Sequence, residues 1–198
     1  MRSTICTIIL AALFALPGKA QQDYYFTLNY SMAAGLGEQS DFIGNYSWRG
    51  VSLEPIWMLT PEIGLGAYFS WNVFYDKLSG SFTEDTETIT GTQARYINAF
   101  PMLLEGRYHL GEPYDIRPYL GLGIGAFRML QETNTGLFGV ENKTWHFGIS
   151  PNAGILIPIG YQDTAVHVGL RYNKPFNNSD APFEYSWLGI DVGLSWLR

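Results

Sequence analysis

From Trp145 to Ile159 every second residue is apolar: Trp145, Phe147, Ile149, Pro151, Ala153, Ile155, Ile157 and Ile159. The residues between the first of them, His146, Gly148, Ser150, Asn152 and Gly154, are small or polar. Successive side chains of a strand point to opposite faces, so this segment folds with one greasy and one wet face. Eight such stretches follow one another, over residues 24–34, 48–59, 62–74, 93–110, 116–130, 145–159, 164–173 and 185–197. Behind an export signal, that repetition predicts an all-β fold, an eight-stranded antiparallel transmembrane β-barrel. No 20-residue apolar helix is present, which excludes a helical membrane protein.

The export signal is legible at the N-terminus. Arg2 supplies a positive charge, Ile8 to Leu16 form a short apolar run, and Pro17 breaks it. Gly18-Lys19-Ala20 offers small residues for a signal peptidase, so residues 1–20 are expected to be a cleaved signal peptide and 21–198 the barrel domain. Cys6 lies ahead of the apolar run, so the mature part carries no cysteine and no disulfide framework.

The connections alternate in length. Residues 60–61, 111–115 and 160–163 read as tight turns, while 35–47, 75–92, 131–143 and 175–184 read as longer polar loops. Outer-membrane barrels have this asymmetry, with short periplasmic turns and long extracellular loops. Pro55, Pro101 and Pro151 fall inside strands, where each loses a ladder bond, and a bulge is the expected accommodation. Tyr and Trp residues near strand ends, Tyr24, Trp57, Tyr96, Tyr108, Trp145, Tyr172, Trp187 and Trp196, are expected in interfacial girdles.

Without Arg2 and Lys19 the chain has 10 basic and 18 acidic residues, a net charge of −8. An acidic chain without a basic stripe argues against nucleic-acid binding. Outer-membrane lipids and lipopolysaccharide remain as expected partners, and a monomer is the default assembly.

Arg117-Pro118-Tyr119-Leu120-Gly121-Leu122-Gly123-Ile124-Gly125-Ala126, entered from a short turn, resembles the central strand of the small OmpA/OmpX-like outer-membrane β-barrel family. The segment Gly154 to Pro158 and the later Leu170-Arg171-Tyr172 fit the same pattern, and the Ala-Gln-Gln junction resembles exported proteins of Bacteroidetes-type bacteria. The resemblance implies location in the bacterial outer membrane. It also implies recognition of the C-terminal strand by the barrel-assembly machinery, to which Asp191, Gly193 and Trp196 fit while the final Arg198 departs. No peptidoglycan-binding domain is expected after that strand.

The candidate site is the interior. Strand parity turns Glu54, Glu62, Glu105, Arg107, Arg117, His167, Arg171 and Asp191 inward. An eight-stranded barrel is just wide enough for its side chains to fill, so these residues are expected to form a buried polar network that is structural. The rival expectation is a narrow gated channel lined by the same groups.

Catalytic and metal chemistry find little support. His146 and Ser150 share a face but lie about 13 Å apart along a strand, too far for a nucleophile–base pair. Three scattered histidines offer no metal-ligand spacing, and Glu84-Asp85-Thr86-Glu87 lacks the pattern of a calcium loop. Gly121, Gly123 and Gly125 repeat at period two inside a strand with no helix after them, which is close packing and not a phosphate loop. No cofactor is expected. Phe42, Tyr46, Phe138 and Phe183 are the loop aromatics that could stack on sugars.

The leading functional expectation is a non-enzymatic structural or surface-interaction scaffold with ligand-binding or adhesive extracellular loops. A narrow channel for small solutes or apolar molecules comes second, and a lipid A-modifying barrel enzyme third.

Overall fold

The computed structural model describes residues 24–197 except 85–86, 113–114, 136–137, 160–163 and 180, and leaves aside the side chains of 81–90 and 138. The expected signal peptide lies outside the described residues. Eight strands form in chain order: β1 (Tyr24–Gly35), β2 (Arg49–Met58), β3 (Ile63–Glu84), β4 (Glu87–His109), β5 (Arg117–Thr135), β6 (Phe138–Pro158), β7 (Thr164–Pro175) and β8 (Trp187–Leu197). Each pairs antiparallel with the next, and β8 returns to β1 from Tyr25↔Leu197 to Gly35↔Trp187. Closure leaves the barrel wall without an unpaired edge.

Alternation sets which residues face out. On β1, Phe26, Leu28 and Tyr30 are exposed while Tyr25, Thr27, Asn29 and Ser31 are buried. On β5, Leu120, Leu122 and Ile124 are exposed and Arg117 and Tyr119 buried. Large apolar side chains thus clothe the outside and polar ones fill the middle, the inverse of a water-soluble domain.

The interior is stacked in three levels. At the short-turn end Tyr25, Ile56, Met58, Leu156 and Ala165 form a small apolar cluster. The polar residues occupy mid-height. Toward the far mouth Ile43, Phe74, Ile97, Phe127, Met129 and Trp187 make a larger apolar cluster. Each such side chain withdrawn from the water in the mouth contributes roughly 1.5–3 kcal/mol.

Two connections close over that mouth. A single helical turn, α1 (Glu38–Phe42), sits in the β1–β2 connection that the sequence reads as a plain loop. The β7–β8 connection docks on it: Ser186 N donates to Gln39 Oε1 (3.1 Å), Leu36 N to Ser186 O (2.8 Å), and Phe42 meets Phe183 at 5.2 Å between ring centroids.

The described residues of two of the expected loops are strand. Pairing runs unbroken from Tyr75↔Tyr96 to Glu84↔Glu87, and from Gln131↔Asn142 to Thr135↔Phe138. β4 and β5 stay paired up to Gln93↔Thr135. The wall therefore continues past the mouth as a four-stranded sheet of β3–β6, topped by a β3–β4 ribbon. Ser, Thr, Gly and acids suggest a loop, but Thr83, Thr88, Thr90, Thr92, Phe82 and Ile89 favour extended backbone and find cross-strand partners. β2 ends at Arg49↔Val73, and β7 reaches β6 only as far as Pro175↔Gly148, so both outer edges of the projection are open.

The prolines sit in no bulge. At Pro55 the β2–β3 ladder lapses between Leu53↔Phe69 and Ile56↔Gly66 and resumes in the same register. The same lapse occurs at Pro101 between Phe69↔Met102 and Asn72↔Ala99, and at Pro151 between Ile149↔Lys174 and Asn152↔Arg171. Each proline lacks the N–H for one neighbour and stays paired to the other, at Phe26, Phe127 and Leu122 respectively.

Candidate functional site in the barrel interior

Glu105 on β4 is the hub of the mid-height cluster. Its two oxygens accept from Arg107 Nε (2.6 Å) and Arg171 Nη2 (2.8 Å), and all three side chains are buried. Arg107 also donates to Glu54, and Arg171 Nε lies 3.9 Å from Asp191 Oδ2. The guanidinium groups rest on aromatic faces, Arg171 over Tyr68 at 3.6 Å and Arg107 over Tyr119 at 4.3 Å. Carboxylates drawn from β2, β4 and β8 thus meet cations from β4 and β7, each offsetting the other's loss of water.

His167 extends the cluster. Its Nδ1 lies 2.7 Å from Asn29 Oδ1 and its Nε2 2.7 Å from the Tyr119 hydroxyl. Asn29 Nδ2 in turn donates to Glu54 Oε1 (2.9 Å) and Ser52 Oγ (3.0 Å). With Tyr119 donating to Nε2 and Nδ1–H donating to Asn29, one neutral tautomer satisfies the whole chain.

Two expected members lie elsewhere. Arg117, the first residue of β5, donates to the Tyr25 hydroxyl and to the Pro61 carbonyl near the short-turn end, away from the hub. Glu62 is not in the interior at all. Thr60 Oγ1 accepts from the N–H groups of Glu62 and Ile63, so the turn runs through Glu62 and leaves it exposed, and β3 begins at Ile63. Tyr68, Tyr119 and Asn29, which the same parity turns inward but which are not among the expected site residues, supply the faces and hydrogen bonds around the charges. The signal available for Tyr119 was its neighbourhood of glycines: a Cβ on Gly154 would come within 2.6 Å of the Tyr119 hydroxyl.

The residues weighed for catalysis are otherwise engaged. His146 faces inward, its nitrogens 2.8 Å from Thr144 Oγ1 and 3.0 Å from the Phe176 carbonyl. Ser150 Oγ donates to Asn173 Oδ1 (3.0 Å). Among the described residues no three His, Cys, Asp or Glu are grouped as metal ligands. The acidic segment 84–87 lies outside the residues whose side chains are described.

The aromatics divide differently from the expected girdle. Trp57, Tyr108, Trp145, Tyr172 and Trp196 are exposed on the outside, but Trp187 points inward and is fully buried against Phe74 and Phe127. Tryptophan at the first residue of β8 has inward parity, which proximity to a strand end concealed. Of the loop aromatics, Phe42 and Phe183 pack on the mouth cluster, whereas Tyr46 is exposed.

A closed eight-stranded ring with an apolar exterior, a charged and plugged core and one projecting sheet defines an outer-membrane-type β-barrel. Comparison of structures agrees at the level of the fold. The chain is similar to OprG from Pseudomonas aeruginosa (TM-score 0.60, 11% identity, covering 89% of this chain and 96% of that one). It is similar also to Ail of Yersinia pestis in complex with the heparin analogue sucrose octasulfate (0.58, 10%, 90% and 99%) and to Neisserial surface protein A (0.54, 11%, 89% and 99%). All are small outer-membrane barrels. No family model and no curated protein matches the chain.

Proposed function

We propose that the protein is a non-enzymatic scaffold of the bacterial outer membrane that presents the β3–β6 sheet to partners outside the cell. The observation that carries this reading is the combination of a plugged interior with a wall that continues past the plug. The residues that would line a water path are consumed by contacts with one another, and the surface the molecule offers is the projection. Regular pairing fixes its shape without a partner, so little ordering entropy opposes binding there. Ail, an attachment invasion locus protein by name, has the same fold and lends the reading support. Lipids and lipopolysaccharide as surroundings, insertion by the barrel-assembly machinery through β8 and a monomeric state belong to the same proposal.

The test replaces residues 78–93 by a two-residue turn. Cells displaying either form are compared for attachment to protein-coated and glycan-coated surfaces, and heat-modifiability on a gel verifies the barrel. The shortened barrel should fold and lose attachment. Equal attachment by both forms would overturn the reading.

A further inference from the structure

One interior histidine, His109, is left without hydrogen bonds from its ring. Among the described residues neither of its ring nitrogens has a partner, although the residue is only 1% exposed, at the end of β4 nearest the short turns. His146 and His167 engage both of theirs. A buried donor and acceptor that stay unmatched weigh against the fold, so a group placed like this calls for a ligand.

Gly64 makes room beside it. On β3 it faces inward, paired on one side with Met58 of β2 and on the other with Arg107 of β4, two residues before His109. A Cβ on Gly64 would stand 3.2 Å from Met58 Sδ and 3.6 Å from His109 Nε2. A buried thioether and an unpartnered imidazole, from the strands on either side of β3, thus converge on one point over the glycine. Thioether sulfur is too weak an acceptor to satisfy the imidazole by itself. Methionine is unbranched with three rotatable bonds, so its sulfur can close on a shared metal at the usual ligand lengths of roughly 2.0–2.3 Å.

The surroundings decide which metal. Tyr25 stacks on the His109 ring at 5.7 Å and 18°, and Ile56 Cγ2 lies 2.7 Å from the same Cβ position over Gly64. Arg117 rests 5.8 Å over the Tyr25 ring and donates only to neutral oxygens, those of Tyr25 and Pro61. A doubly charged ion meets twice the repulsion from that guanidinium that a singly charged one does. Zinc also asks for four ligands, and the described residues hold no group of three His, Cys, Asp or Glu. A thioether with an imidazole is instead a soft pair, suited to copper(I), which accepts as few as two ligands.

We propose that Met58 Sδ and His109 Nε2 form a binding site for copper(I) at the periplasmic end of the barrel interior. Tyr25, against which His109 stacks, also lines a cleft at the short-turn end with Asp115, Arg117 and Pro158, and the ion enters from that side. The charged hub at mid-height and the apolar cluster under the lid separate the site from the far mouth. Binding involves no change of oxidation state. The side of entry rests on the orientation proposed above, whereas the site itself is independent of whether the projecting sheet binds a partner.

The test is native mass spectrometry of untagged protein extracted from outer membranes into detergent, titrated with silver nitrate or zinc nitrate in chloride-free buffer at neutral pH. Silver(I) stands in for copper(I), with the same charge and filled d shell and no oxidation in air. Wild-type protein should take up one silver ion per chain and hold it at least about tenfold more tightly than zinc. M58L and H109F keep the apolar volume and the ring stacking on Tyr25, and each should lose at least about that factor for silver. M102L removes a thioether from the outer wall and should retain wild-type affinity. The two titrations of wild type stand even if a variant fails to show heat-modifiability. No silver held by wild type, zinc held as tightly, an equal loss in M102L, or an unchanged affinity in a folded M58L or H109F variant would each overturn the site and leave the scaffold reading intact.

Discussion

Glu105 illustrates how a single residue organises the interior. Among the described residues it alone forms ion pairs with both Arg107 and Arg171, so replacing its carboxylate leaves two buried guanidinium groups each short of a partner. Breaking a buried ion pair from one side costs about 3–5 kcal/mol. E105Q is therefore expected to lower stability by an amount in that range, read as a shift of the urea midpoint for unfolding from lipid vesicles. Y119F removes only a neutral hydroxyl from His167 Nε2 and should cost about 1 kcal/mol. Equal effects from the two variants would mean that charge is not what holds the cluster. Residue parity made Glu54, Glu105, Arg107, His167, Arg171 and Asp191 legible as inward groups, because period two is a local property of the chain. It could not show that Arg117 reaches for Tyr25 and Pro61, which depends on where distant strand ends meet. Nor could it see that Thr60 draws Glu62 into a turn.

At the scale of elements, the sequence was most misleading where composition and pairing disagree. Residues 75–92 look like a loop by their Ser, Gly and acids, yet they pair as strand as far as Glu84↔Glu87. The threonines were the local clue, and the decisive factor was a complementary second half of the hairpin. Gly154 shows the opposite case, a glycine whose reason is in the neighbouring strand. The Tyr119 ring occupies the space over it and is itself held by Arg107 and His167. G154A is therefore an overpacking change, expected to cost about 1–3 kcal/mol. Combining it with Y119L should cost less than the sum of the two single changes, as neighbours sharing one space do. Strict additivity in urea unfolding would refute that coupling. The connection closing the mouth carries its own titration. Burial pushes the Tyr185 phenol, which donates to Gln131 Oε1 (3.0 Å), up to about 12 from an ordinary 10. The folded state then keeps a proton that the unfolded state releases, so this contribution is whole below pH 10 and fades as pH rises through 12. Phenolate absorbance of wild type against Y185F should show one tyrosine titrating late. A difference between the two curves that titrates near 10 would place Tyr185 in water.

On the scale of the whole molecule, the interior is closed twice in series. Ions crossing the barrel would have to separate the Glu54–Arg107–Glu105–Arg171 chain at mid-height and then pass the aromatic cluster of Phe74, Phe127 and Trp187 beneath the lid of α1 and the β7–β8 connection. The two barriers are physically different. A charged side-chain network can rearrange around water, whereas an apolar constriction must first be wetted, and the cost of placing an ion there is not relieved by moving a charge elsewhere. Removing one barrier therefore should not open the path. Wild type and E105Q are both expected to be silent in a planar lipid bilayer, and so is W187A, whose vacancy sits above an intact ionic network. Only a variant carrying both changes should show conductance steps, provided that heat-modifiability confirms its barrel. Steps from the wild type would make the interior a channel and displace the scaffold reading. Steps from E105Q alone would mean that the mouth is open in the membrane and that the lid of α1 and Phe183 does not seal it.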